Sequence, residues 1–472
     1  MSGAAAGPAR PFTDGFDEAF AAPGVARPHY AKLLDALAGT DLAALRDTVN
    51  ARVRAAGVTF GSGPEATPFV IDPIPRMLAA DEWATLAAGL EQRVRALNAF
   101  VVDAYGERRF VEAGRMSAAV IESAEGYEPD LRGCLPGGGA PIGTAGLDIV
   151  RAPDGVLRVL EDNLRTPSGF AYAMAAREAL APVLDGSAPA PVAIAELTDL
   201  LREVLCAAAP DGVDEPSIVV LSDGPESSAW YEHADAARRL GVPVVTLRDL
   251  ERRGTRLEAR LENGRRRPVD VVYRRCDEDR LRDERGRLTP VAEALLEPWR
   301  AGTLAVVNAF GTGVGDDKLV HAHVEDMIRF HLGEEPLLEA VPTLDLGGDA
   351  PRDDVLASLR DFVVKPRMGH GGMGVVVCAH ADEADLERLR RELVADPGGY
   401  VAQPTVAISH HPTVVDGGRL EPRHVDLRPF VFSTPASARA LPGGLTRVAW
   451  DPGALVVNSS QNGGAKDTWV LR

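Results

Sequence analysis

Between Phe362 and Val377 the chain reads FVVKPRMGHGGMGVVV: an apolar run ending on a lysine, a turn rich in glycine, and a second apolar run. Two β-branched runs around so much glycine predict a hairpin, and no helical pattern follows. The arrangement is therefore not a phosphate loop of the G-x-x-x-x-G-K-[ST] kind, which needs a helix after its glycines. A lysine inside an apolar strand is costly unless an anion accompanies it. Glycines let backbone N–H groups approach that anion closely. The segment reads as a flap over a triphosphate, with Lys365 as a point charge and Gly369, Gly371, Gly372 and Gly374 as the cradle.

A second polar constellation lies about 200 residues earlier, in GLDIVRAPDGVLRVLEDNLR. This stretch predicts two strands joined by the turn Ala152-Pro153-Asp154-Gly155. Glu161 and Asn163 are two apart, so they share a strand face, and the turn can bring Asp148 alongside them. One Asp, one Glu and one Asn suit Mg2+, which takes hard oxygen ligands and leaves positions for water and phosphate. Lys318 opens a helix after GTGVGDD and can reach the same phosphates. Gln403, in YVAQPTV, is expected at the edge of an adenine pocket. Arg428, Arg447 and Lys466 stand beside strands, where they could neutralise charge on a transferring phosphoryl group. Arg132, Arg165 and Ser168 are the expected contacts for a substrate carboxylate.

Periodicity divides the chain into a loose arm over 1–28 and a mainly helical region over 29–117, with helices predicted from Tyr30 to Ala56 and from Asp81 to Tyr105. A part over 118–215 holds the metal candidates, with AAVIES read as a strand and a helix from Ser168 to Leu184. A Rossmann-like β-α-β unit is expected over 216–310. The remainder, 311–472, holds a helix from Asp316 through MIRFHLG and then short strands. FVIDPIPRML, with Pro73 and Pro75, reads as an extended connector. The class is α+β. The net charge of -18 argues against non-specific nucleic-acid binding. The four cysteines show no C-x-x-C spacing, and a reducing, cytoplasmic setting is expected. No secretory leader or membrane span is visible. His321 with His323, and His410 with His411, lack zinc spacing, and no G-x-S-x-G elbow occurs.

GLDIVRAPDGVLRVLEDNLRTPSGFAY, YRRCD, VVNAFGTGVGDDK, VVKPRMGHGGMG, RHVDLRPF, GGLTRVA and VVNSSQNGGAKDTWVL resemble the circularly permuted ATP-grasp type 2 family, whose core is similar to that of glutathionylspermidine synthetase. The likeness runs from about Tyr127 to the C-terminus. It implies an ATP-grasp fold in permuted order, with the metal residues Asp148, Glu161 and Asn163 ahead of the ATP-holding Lys318, Lys365 and the Gly371–Gly374 flap. It also implies ATP and Mg2+ as cofactors. The expected activity is ligation of a carboxylate to an amine through an acyl phosphate, on small-molecule or peptide substrates of amino-acid, peptide or polyamine type. A kinase of the same fold and a nucleotide-binding pseudoenzyme are the alternatives, and the oligomeric state is left open. Met373 stands where such flaps often carry an aromatic residue.

Overall fold

The structure is a computed structural model that describes residues 15–61, 63, 66–135, 138–194, 196–261, 263–276, 280–369, 372–455 and 463–472. Its centre is a nine-stranded sheet. Along its main path the order is Ser437–Ala440, Phe430–Thr434, Thr144–Arg151, Leu420–Arg428, Leu445–Val448, Gly464–Val470 and Arg76–Leu78. Leu157–Asn163 pairs beside Thr144–Arg151, and His410–Val414 beside Leu420–Arg428. The Thr144–Arg151 strand is buried at every position, as its apolar run requires.

The expected connector around Pro73 and Pro75 ends in a true strand. Arg76–Leu78 pairs in parallel with Gly464–Val470, at the end of the sheet. The two prolines precede it, where their missing N–H groups cost no ladder bond. The long helix Ala80–Tyr105 follows and places Arg93, 1% exposed, against the middle of the core.

A second sheet is parallel throughout, in the order Ala305–Val307, Val271–Arg274, Ile218–Leu221, Val244–Val245. The amphipathic helix Trp230–Leu240 links its last two members. A third sheet is antiparallel, in the order Leu344–Asp345, Tyr400–Pro404, Phe362–Pro366, Val376–Val377. Helices Asp349–Ala357 and Glu383–Ala395 accompany it. Val355, Val364, Leu386, Leu389 and Leu393 give this lobe a core of its own. It carries Lys365.

Several local expectations give way to capping and tertiary contacts. AAVIES is the short helix Ala118–Glu122, capped by Ser117 Oγ on the Ala119 N–H, because a cap at its start outweighs the β-branched content of five residues. The first predicted helix is two, Pro28–Leu37 and Leu42–Ala55, with Asp41 capping the second through the Ala44 N–H at 3.0 Å. The helix after Gly169 is shorter than expected, Phe170–Leu180. The stretch after Thr312 is a series of short turns, in which Lys318–His321 is capped by Asp317 and Ile328–Leu332 is a π turn. No described helix is long and apolar enough to cross a membrane.

The described part of the expected loose arm is built into the core. Glu18 is 2% exposed and joins Arg76 at 2.5 Å, Arg151 at 3.0 Å and Ser409 at 2.6 Å. Burial raises the Glu18 carboxyl, but the two guanidinium groups and the hydroxyl outweigh burial and hold it at about 2. The unfolded carboxyl titrates near 4.5, so the native state is stabilised above that pH, and the gain disappears as pH falls towards 2. Glu18→Gln is expected to lose about 3 kcal/mol at neutral pH. In urea melts the gap from wild type should close between about pH 4.5 and pH 2.

Candidate active site

The hairpin Thr144–Arg151/Leu157–Asn163 places the first half of the site. Its register holds a β-bulge: Ile149 faces Val159, but Asp148 faces Glu161, so Leu160 is the extra residue. An inserted residue flips the faces of everything beyond it. Leu157 and Val159 are buried before the bulge, and Asp162 is buried after it. Glu161 and Asn163 therefore turn to the opposite side. Asp162 is fixed by Arg93, with two bonds of 2.7 Å, and by His321 at 2.6 Å.

The second half comes from the lobe that carries Lys365. Its Nζ donates to Glu161 Oε1 at 3.0 Å, across 204 positions of sequence. A cavity of about 680 Å³ opens around this pair, and Asp148, Glu161, Asn163, Lys318, Lys365 and Gln403 all line it. Lys318 Nζ donates to the Gly369 carbonyl at 3.0 Å, so this lysine is tied to the flap itself. Arg367 anchors the flap base to buried Asp317, through bonds of 3.2 and 3.0 Å. Gly369, Gly372 and Gly374 all have positive φ. A Cβ at Gly374 would lie 2.7 Å from the Pro366 ring, so this turn admits only glycine.

Beside the hairpin sits a buried charge cluster. Asp148 accepts from Arg428 Nε at 2.7 Å through Oδ1 and from Arg428 Nη2 at 2.9 Å through Oδ2, and Arg447 Nη2 also lies 2.9 Å from Oδ2. Arg447 also bonds Asp426. Burial raises the Asp148 carboxyl, yet the two guanidinium groups outweigh it and hold the carboxyl well below the usual range. Asp426, which shares Arg447, is pushed above its ordinary value by burial. Glu161 is pulled below its ordinary value, chiefly by Lys365 acting against burial.

The structure places most sequence-predicted residues around one cavity. Arg165 lines it and pairs with Asp316 at 3.1 Å, and Ser168 lines it with its carbonyl towards Arg428 at 3.3 Å. Gln403 Nε2 donates to Thr343 Oγ1 at 2.9 Å, while its Oε1 is buried with no partner among the described residues. Lys466 is not brought to the cavity. It is fully buried in the strand Gly464–Val470, ion-paired with Asp72 and bonded to the Pro412 carbonyl at 3.1 Å. Its expected catalytic role is corrected to a structural one. Arg132 also falls elsewhere, exposed on the loop after Pro129–Leu131. Gly371 lies outside the described residues.

Sequence reading missed Asp426, Arg275 and His321, which line the cavity, and the flap anchor Arg367. Arg275 bonds Glu232 and the Pro167 carbonyl, both at 2.9 Å. Glu232 in turn accepts from the Gly169 N–H at 2.7 Å, which fixes the loop carrying Ser168. The doubled arginine of YRRC, at the end of an otherwise apolar strand, was the available signal for Arg275.

These two facing segments, metal-type residues first and flap second, match a known arrangement. The model of the circularly permuted ATP-grasp type 2 family covers residues 75–449. The chain belongs to this family. Among its relatives, a Frankia alni protein named "Putative glutamate--cysteine ligase 2-3" is 44% identical over 97% of this chain and 54% of its own. An uncharacterized Synechocystis protein is 39% identical over 97% of both chains. The chain thus spans about half the length of the Frankia relatives. A solved apo structure, a glutathione synthetase-like effector from Globodera pallida, superposes with a TM-score of 0.60 at 12% identity. The match covers 92% of this chain and 98% of that one, which shows a shared fold.

The charge cluster gives a stability ordering. Asp148→Asn leaves two buried guanidinium groups short of a counter-charge and is expected to cost about 3–5 kcal/mol. Glu161 is about a third exposed, so Glu161→Gln should cost less than half as much. Urea unfolding of both variants without ligand measures the difference.

Proposed function

We propose that this ATP-grasp chain is an ATP-dependent C–N ligase that joins a carboxylate to an amine through an acyl phosphate. The observation that carries the proposal is the 3.0 Å pair between Lys365 and Glu161, which brings the flap and the metal-type strand face to face over one cavity. The two groups neutralise each other across this contact. A triphosphate gives Lys365 a stronger anionic partner and releases Glu161.

The donor set fits Mg2+ at two residues. Glu161 is partly exposed to the cavity, and Asn163, two residues on along the same strand, lines it with an amide whose oxygen is of the hard type Mg2+ takes. Asp148 fits less well, because it accepts three bonds from arginines that already match its charge. We assign the metal to Glu161 and Asn163, and Asp148 to holding Arg428 and Arg447 in place. Bound Mg2+ would supply charge neutralisation at the phosphate oxygens.

The chain's own residues provide orientation and charge. Lys318 and Lys365 hold the phosphates, beside the turn glycines Gly369, Gly372 and Gly374. Arg428 and Arg165, at the Ser168 end, meet the substrate carboxylate. A carboxylate oxygen attacks the γ-phosphorus and ADP leaves. The amine nitrogen then attacks the acyl carbon, phosphate leaves, and the nitrogen loses a proton. No side chain needs to become covalently attached.

The names of the Frankia relatives make L-glutamate and L-cysteine the first substrates to test, followed by other amino acids, peptides and polyamines. ADP release with Mg-ATP should need both an acid and an amine, and mass spectrometry should find the amide. Release with one substrate alone, together with a phosphorylated product, would identify a kinase. Lys365→Ala should lower kcat/KM on the order of 100-fold. Unchanged turnover in Lys365→Ala would remove the site assignment.

A further inference from the structure

His321 lines the cavity, is 4% exposed, and lies on the same short helical turn as Lys318. Its Nδ1 is 2.6 Å from Asp162 Oδ2 and 3.0 Å from Arg93 Nη2. Asp162 already accepts two bonds from Arg93, as an ionised carboxylate does, so the hydrogen between it and His321 belongs to the imidazole. The tautomer follows from that network: Nδ1 carries the hydrogen and Nε2 keeps a lone pair. Nε2 is buried and has no partner among the described residues. Burial keeps the ring neutral by holding its basicity below the ordinary value, against the opposite pull of Asp162.

A buried acceptor without a donor is costly; a water or a bound ligand can satisfy it, and a nucleotide seated in this cavity would bring a donor in the water's place. Phosphate oxygens cannot, since they too present lone pairs. Within a nucleotide the donors are the ribose hydroxyls and the 6-amino group of adenine. We propose that His321, positioned by Asp162 and Arg93, contacts the nucleoside part of ATP, with Nε2 accepting a hydrogen bond from one of those donors. The residue is then a specificity determinant of the nucleotide site. This rests on the reading of the cavity as an ATP site.

Calorimetric titration tests it without turnover, using wild type, His321→Ala and His321→Gln, each first shown to fold by a thermal melt. ATP should bind His321→Ala on the order of 10-fold more weakly. His321→Gln, which retains an acceptor oxygen, should recover part of the loss. One of 2′-deoxy-ATP, 3′-deoxy-ATP or the triphosphate of purine riboside should bind wild type as weakly as ATP binds His321→Ala. That analogue should lose nothing further in the variant, and its identity tells a ribose donor from the base amino group. Unchanged ATP affinity in His321→Ala overturns the inference, as does an equal loss for ATP and all three analogues. Unchanged ATP affinity with slower amine-dependent turnover also overturns it, by moving the donor to the amine. If wild type binds no nucleotide, the ligase reading itself fails, and that result is distinct from the others.

Discussion

The strand Leu157–Asn163 is the constraint on which the site depends. Its bulge at Leu160 reverses which side chains face inward. Asp162 is thereby buried against Arg93 and His321, while Glu161 and Asn163 reach the cavity. Arg93 comes from the middle of a 26-residue helix packed in the main core. The orientation of the site is thus tied to the best-packed part of the molecule. A strand without the extra residue would bury Glu161 and aim Asp162 outward.

Charge organises what the bulge positions. Nearly every ionised group near the cavity has a partner of opposite sign: Lys365 with Glu161, Asp148 and Asp426 with Arg428 and Arg447, Arg275 with Glu232, and Arg367 with Asp317. Buried pairs add little net stability over apolar packing, but breaking one is expensive, so they fix geometry. The pairs differ in what they face. Asp148 is held by two arginines at once, whereas Lys365 and Glu161 have, among the described residues, only each other at the cavity wall, where a polyanion and a divalent cation could separate them.

How much of this the sequence disclosed depends on the range of each interaction. The flap, the hairpin with its turn at Asp154-Gly155, the helix Ala80–Tyr105 and the parallel strands were legible because glycine, turn residues and apolar period act locally. The bulge was not, although Val159 and Leu160, apolar neighbours in an alternating strand, were its trace. The helix Ala118–Glu122 was misread because five residues carry too little period to outweigh β-branched content. Lys466 and Lys365 drew similar expectations from the sequence, since each is a cation placed with a strand.

By itself the sequence determined which chemistry was available: a lysine ahead of a glycine-rich turn, and an Asp, Glu and Asn on a hairpin, in an order that matches the permuted family. Those features depend on neighbours a few residues away. Only the tertiary structure decided which cations face the cavity. Lys365 meets Glu161 at the cavity wall, while Lys466 is spent on Asp72 in the core. That choice depends on partners 204 and 394 positions away. No local pattern encodes such distances, because burial and pairing are properties of the packed chain rather than of the segment.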